Sequence, residues 1–109
     1  MSGIKDLKIK IKYFNDILFN NKRFELRLND KNFSVYDVII LREYDSDKKR
    51  YTYFSENKIV VRIIYVLKNV EKYGLNKDYC IFGFEILFKQ DFERLREKRL
   101  KIKFNKEVI

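Results

Sequence analysis

Apolar and polar residues along the chain repeat with two periods, one fitting strands and one fitting helices. Ile4 to Ile9 alternates and predicts a short first strand, whereas Ile11, Phe14, Ile17 and Leu18 recur at helical spacing. Asn20-Asn21 then reads as a helix C-cap and turn. A strand follows from Lys22 to Leu28, closed by the turn pair Asn29-Asp30, which tolerates left-handed backbone. Val35 to Glu43 predicts a buried strand, because Val38, Ile39, Ile40 and Leu41 leave neither face polar. Asp45 to Lys49 is a loop joining a hairpin whose return arm carries Tyr51, Tyr53 and Phe54. Ile59 to Leu67 is the strongest strand signal, Asn69 to Asn76 a connector with one helical turn, and Tyr79 to Phe88 the last core strand. Cys80, Phe82, Phe84, Ile86 and Phe88 share one face of that strand. Gln90 to Leu100 predicts a short amphipathic helix with Phe92, Leu95 and Arg99 or Leu100 at helical offsets, and Lys101-Ile102-Lys103-Phe104 an alternating edge or tail. Five or six strands with a helix near the start predict an α+β, mainly β domain: a small barrel or rolled sheet with peripheral helices.

The strand from Lys22 carries the most informative pattern. Arg23, Glu25 and Arg27 alternate with Phe24, Leu26 and Leu28, which puts three ionisable side chains on one face and three apolar ones on the other. Beside a turn that delivers Lys22, such a row is either a polar-ligand site or an ordinary solvated strand face.

Composition narrows the partner classes. The 109 residues carry 25 Lys and Arg against 16 Asp and Glu, a net charge of +9, which favours RNA, DNA or an acidic protein surface. The excess of Lys, Asn, Ile, Phe and Tyr, with no Pro, Trp or His, also fits an AT-biased coding sequence and discounts part of that charge. Lys89, Arg94, Arg96, Lys98, Arg99, Lys101, Lys103 and Lys106 against Asp91, Glu93, Glu97 and Glu107 place about +4 of the charge after Phe88. Arg62 and Lys68 interrupt the longest apolar run, so no membrane span or membrane partner is expected. With no h-region at the N-terminus and a single cysteine, the expected compartment is the cytoplasm.

With no histidine and one cysteine, a zinc site or a Cys-His nucleophile pair is excluded. Three glycines cannot build a phosphate-binding loop of Gly-x-x-x-x-Gly-Lys type. Glu56, Glu71, Glu85 and Glu93 are too scattered to suggest an acid/base pair, and Cys80 on an aromatic face reads as a buried thiol. No cofactor, metal or catalytic residue is expected.

Several ordered segments resemble the ASCH domains of the PUA-like superfamily, especially its small bacterial and phage proteins. The segments are Lys5-Asp6-Leu7-Lys8, Tyr13-Phe14, Asn20 to Arg27, Asn29 to Asp37, Leu41 to Tyr44, Tyr51-Thr52 and Tyr79 to Glu85. At their centre, Lys22-Arg23-Phe24-Glu25-Leu26-Arg27 matches the family pattern Lys-x-Phe-Glu-x-Arg. The chain departs from it at Lys5, where the family has histidine, and at Asn20 and Tyr36, where it has glycine. Asn20 substitutes for glycine in a left-handed turn at small cost. A bulky residue at Tyr36 would reshape the cleft that glycine leaves open.

The resemblance implies a PUA-like β-barrel over residues 1–88; the segment 89–109 lies outside it and reads, from its own charge and spacing, as a basic C-terminal helix and tail on the same domain. The resemblance also implies a cleft at the motif that binds RNA or a modified nucleoside without catalysis. Lys22 and Arg27 would pair with phosphate, and Glu25 would accept from a base amino group or hold Arg27. Tyr51 and Tyr53 would stack on an unpaired base, while Arg94, Arg96, Lys98, Arg99, Lys101 and Lys103 would follow an RNA backbone. The main alternative is a phage-encoded inhibitor that binds a nucleic-acid-guided defence enzyme. A third reading follows family members resembling an amidohydrolase of acetylated cytidine, with Lys22 in the catalytic place; but Glu25 stands where those enzymes carry a hydroxyl residue. The pattern leaves the oligomeric state open.

Overall fold

A computed structural model describes residues 3–108, with side chains throughout except at 54, 55 and 103–108. The elements run β1 (Ile4–Lys10), α1 (Ile11–Phe19), β2 (Phe24–Leu28), β3 (Val38–Asp45), β4 (Arg50–Tyr51), β5 (Lys58–Leu67), β6 (Tyr79–Ile86) and α2 (Lys89–Val108). The six strands form one sheet in the order β1-β3-β5-β6-β2, with β4 paired to β3. Only the β1–β3 pair among these is parallel; α1 and β2 intervene between the two strands, giving the chain length that a parallel connection needs.

The alternation read from the sequence builds the interior directly. Leu7 and Ile9 of β1, Ile39 and Leu41 of β3, Ile59, Val61 and Ile63 of β5, and Cys80, Phe82, Phe84 and Ile86 of β6 all point inward and are buried. Phe14, Ile17 and Leu18 of α1 join them, and Phe92 of α2 closes one end of the core. Phe88, expected on the same face as Cys80, is outside the strand and exposed, because β6 ends at Ile86. A register shift between Ile63 and Tyr65 puts Ile64 and Tyr65 both on the outside and bends β5. The sheet curls into a half-barrel whose two end strands, β1 and β2, face each other across a seam. One side chain spans it: Arg27 Nη2 donates to the Lys8 carbonyl oxygen.

Three local expectations change. The strand expected from Val35 starts at Val38, because Ser34 to Asp37 is a turn closed by Asp37 N–H to Ser34 O at 3.1 Å. The Asp37 carboxylate, almost fully buried, caps that turn at Ser34 N–H (2.9 Å) and takes Lys5 Nζ at 2.7 Å, fastening β1 to the head of β3. The return arm of the hairpin is only Arg50–Tyr51; a 3-10 turn begins at Thr52, so Tyr51 and Tyr53 do not share a strand face. Finally, the segment 101–104 is not an edge or tail but continues α2, which runs unbroken to Val108.

Tyr36 explains the glycine that its position carries in the resembled pattern. It is third in the Ser34–Asp37 turn and has φ +76°, a left-handed conformation that favours glycine there. Its ring is 67% exposed and fills no cleft. Tyr36→Gly is therefore expected to raise the unfolding free energy by about 1 kcal/mol, the left-handed penalty outweighing the added freedom of the unfolded chain. A urea titration reads this directly; a fall in the midpoint would mean that the exposed ring contributes packing. The left-handed residue after α1 is Asn21 (φ +55°), one position beyond Asn20.

Candidate functional site at the sheet seam

The register of β2 on β6 decides what the charged row does. Glu25 lies opposite Phe82 and Arg27 opposite Cys80, both inward-facing positions, so the ionisable row turns into the half-barrel. Phe24, Leu26 and Leu28 turn out to solvent, each about half exposed. Charged side chains inside and apolar ones outside reverse the usual sense of an amphipathic strand. The row is not a solvated face.

Within it, Glu25 is only 5% exposed and sits between two cations. Lys22 Nζ donates to Oε1 at 2.6 Å, and Arg27 Nε lies 3.3 Å from Oε2. That second approach is an ion pair without hydrogen-bond geometry, and Arg27 Nε is left buried with no hydrogen-bond partner among the described residues. A buried donor in that state is costly and is satisfied by any acceptor that enters beside it. Lys22 Nζ also lies 4.7 Å from the Tyr13 ring centre, which fixes the ammonium from the α1 side. Arg23, the third member of the row, is used structurally. Its Nη1 donates to Ile17 O at 2.8 Å at the end of α1, and its guanidinium lies 5.4 Å from the Phe92 ring, where burial lowers its pKa.

Two hollows flank the Arg27 bridge. One, of about 290 Å³, is lined by Lys8, Lys10, Tyr13, Glu25, Arg27 and Tyr44; the other, of about 390 Å³, by Asp6, Lys8, Arg27, Lys31, Phe33 and Tyr51. Tyr44 and Tyr51 meet edge to face at 5.5 Å, and Lys8 Nζ lies 4.7 Å from the Tyr44 ring centre. The seam therefore joins cations, one buried carboxylate and aromatic edges around a bridge that a ligand can reach from both sides.

Among the residues expected to bind, Lys22, Glu25, Arg27 and Tyr51 come together here. Tyr53 does not: with φ +50° it lies in a separate groove against α2, where Lys98 Nζ is 5.3 Å from its ring and Arg94 is a neighbour. Arg96 is half exposed and 3.9 Å from Glu93, and Lys101 is exposed; the Lys103 side chain lies outside the described residues. Arg99 is not turned to a polyanion. Its Nη1 and Nη2 donate to the two oxygens of buried Glu43 at 2.7 and 2.6 Å, and Nη1 also reaches Asn15 Oδ1 at 2.6 Å. Thr52 Oγ1 (2.6 Å) and Asn57 Nδ2 (3.2 Å) complete the Glu43 shell. Burial pushes the Glu43 carboxyl up, but Arg99 and these donors outweigh it and hold the pKa below the usual range. Cys80 is buried, and desolvation pushes its thiol pKa up, which favours the protonated form.

Lys8, Tyr13 and Tyr44 belong to the seam and were not singled out from the sequence. Each lies in a segment of the family resemblance, but only the parallel β1–β3 register, which sets Lys8 beside Arg42 and Lys10 beside Tyr44, brings two of those segments to β2. No group of metal-ligating side chains occurs among the described residues, and no helix there is long and apolar enough to cross a membrane.

A family model described as Domain of unknown function (DUF3850) matches residues 4–84, from β1 into β6, leaving α2 outside. No curated protein matches the chain. The chain belongs to the DUF3850 family.

Proposed function

We propose that this family member is an ASCH-like, PUA-superfamily half-barrel that binds RNA or a nucleotide at the β1–β2 seam without catalysing a reaction. The observation that carries the reading is the inverted strand β2, which buries Glu25 between Lys22 and Arg27 and points an unsatisfied Arg27 Nε into the seam. Burying an ionic cluster is expensive, and apolar residues in its place would serve the fold as well or better. Left-handed backbone at Tyr36, where the ASCH pattern has glycine, supports the family side of the proposal.

In this reading Lys8, Lys10 and Lys31 meet phosphates at the rim, and Arg27 presents its remaining donors. Glu25 accepts from a base amino group once Lys22 or Arg27 shifts to phosphate. Tyr44 and Tyr51 offer a face to an unpaired base. Titration of the protein with single-stranded RNA and with free nucleotides, followed by anisotropy, should show binding that weakens steeply with salt. Tyr51→Ala should cost about 1–3 kcal/mol of that binding, the range for a stacked base; unchanged affinity would remove Tyr51 from the site.

A protein-binding role on the same scaffold is the second reading. It is favoured by the outward apolar row Phe24, Leu26 and Leu28 with Tyr65 and Tyr79, all exposed on one side of β2, β6 and β5. A pull-down from lysate with and without nuclease separates the two: nuclease should release nucleic-acid-bound partners and leave a direct protein partner in place.

A further inference from the structure

We propose that the groove between α2 and the start of β5 is a second nucleic-acid subsite, so that the ligand is a single strand engaging two places rather than a mononucleotide. The inference rests on the seam reading and deepens it.

The groove has a volume of about 350 Å³ and lies outside the seam; Tyr53 and Phe88 supply its aromatic surfaces, and Lys58, Arg94 and Lys98 its cations. Tyr53 is 62% exposed and Phe88 57%, although each belongs to a residue type that folding normally buries. Tyr53 also holds φ +50°, a conformation in which a bulky side chain is an outlier. The backbone around it is firmly held. Thr52 on one side and Asn57 on the other donate to Glu43, which takes Arg99 from α2, so one buried cluster fixes the 3-10 turn and the helix that together form the groove.

The chemistry fits a nucleotide unit. Arg94 and Lys98 are four residues apart on one side of α2, and neither makes an ion pair among the described residues. Lys98 Nζ lies over the Tyr53 ring at 5.3 Å, so a base that stacks there takes the ring face from the ammonium, which is then free to meet the phosphate beside it. Glu56 and Asp91, also in the lining, provide acceptors for exocyclic amino groups. A peptide of acidic residues alone would use the cations but gain nothing from the rings or from the acceptors.

Continuity with the seam comes from the chain itself. Tyr51 lines a seam hollow and Tyr53 lines the groove, two residues and at most about 7 Å of backbone away. That is a distance along the chain: Tyr51 packs with Lys8 and Tyr44, which alternate with inward Ile9 and Glu43, whereas Tyr53 faces α2. A strand that engages both rings therefore passes round the end of β3 over several nucleotides.

The test uses the full chain with a fluorescent single-stranded RNA of about ten nucleotides, within the site sizes of single-strand-binding folds, and with a dinucleotide. Arg94→Gln with Lys98→Gln removes two surface cations without touching the core. It should weaken the longer RNA by on the order of tenfold and lower its salt slope by about 1.4, two contacts at about 0.7 each. Dinucleotide binding at the seam should stay unchanged. Tyr53→Asn, which tolerates the left-handed backbone while removing the ring, should give a similar loss for the longer RNA alone. Wild-type affinity and salt slope in both groove variants would overturn the subsite, even if seam variants lose binding and so uphold the seam reading. Loss in the groove variants with intact binding in seam variants would leave the groove as a lone site and overturn both the two-place proposal and the seam reading. Equal losses for both RNA lengths, or tighter binding of a poly-glutamate peptide than of RNA, would also overturn the proposal.

Discussion

Arg99→Ala is expected to lower the unfolding free energy by about 3–5 kcal/mol, the cost of stranding a buried carboxylate after removal of its partner. That is a large share of the roughly 5–15 kcal/mol that holds a domain of this kind together. Glu43 is 2% exposed, and after the substitution only Thr52 and Asn57 remain as side-chain donors to it among the described residues. The guanidinium also lies 5.0 Å from the Phe14 ring, so the change removes packing between α1 and α2 as well. Urea unfolding followed by circular dichroism measures the loss; less than about 1 kcal/mol would mean that the pair behaves as an exposed one. The pH profile gives an independent check. In the native protein Glu43 and Asp37 both have lowered pKa values. Burial opposes this in each case, and the hydrogen bonds and cations outweigh it. Their contribution is therefore complete above the unfolded carboxylate range, about 4, and fades as pH falls through the lower folded values. In Arg99→Ala burial prevails at Glu43, its folded pKa rises, and the sign reverses: the deficit relative to the native protein should shrink as pH falls from neutral towards about 4. Adding Glu43→Gln to Arg99→Ala should recover part of the lost stability at neutral pH.

Lys22→Ala with Arg27→Ala should reduce RNA binding at least on the order of a hundredfold if the seam is the site, since charge-assisted contacts contribute about 1.5–3 kcal/mol each. It should also destabilise the fold, because Glu25 loses both ion-pair partners named for it. The two effects separate in Lys22→Met with Glu25→Gln and Arg27→Gln, which neutralises the whole cluster at similar volume. That variant should stay folded, with stability near the native value as for other neutralised buried clusters, and still fail to bind. Retained binding in the folded triple variant would rule out the seam. Truncation after Phe88 cannot test the basic helix, because it would also remove buried Phe92 and the Arg99 clamp on Glu43.

Periodicity carried α1, β5, β6 and the turn at Asn20-Asn21 because each depends on neighbours in sequence. Phe14, Ile17 and Leu18 form a helix stripe wherever that helix docks, and the alternation of β6 holds whichever strand pairs beside it. Tyr51 and Tyr53 failed as a pair for a local reason: two residues of β4 are too few to sustain a strand period before Thr52 turns. The extent of α2 was missed because Lys101-Ile102-Lys103-Phe104 alternates polar and apolar residues, which reads equally well as extended chain. Arg99 illustrates a different limit. In sequence it is one of a run of basic residues, and nothing local distinguishes it from Arg96 or Lys98. Only its partner Glu43, 56 positions away, makes it structural.

The sequence by itself determined α1, β5 and β6, the alternating row on β2 and the presence of Lys22, Glu25 and Arg27 on or beside it. Those follow from side-chain geometry along a single strand or helix. Which face of β2 turns inward was decided by tertiary structure alone, because a strand's two faces are equivalent until a neighbour fixes its register. Pairing with β6 set Glu25 and Arg27 among Phe82 and Cys80 and left Phe24, Leu26 and Leu28 outside. The curl of the sheet then brought Lys8, Tyr13 and Tyr44 to the same seam, a convergence of distant segments that no local period encodes.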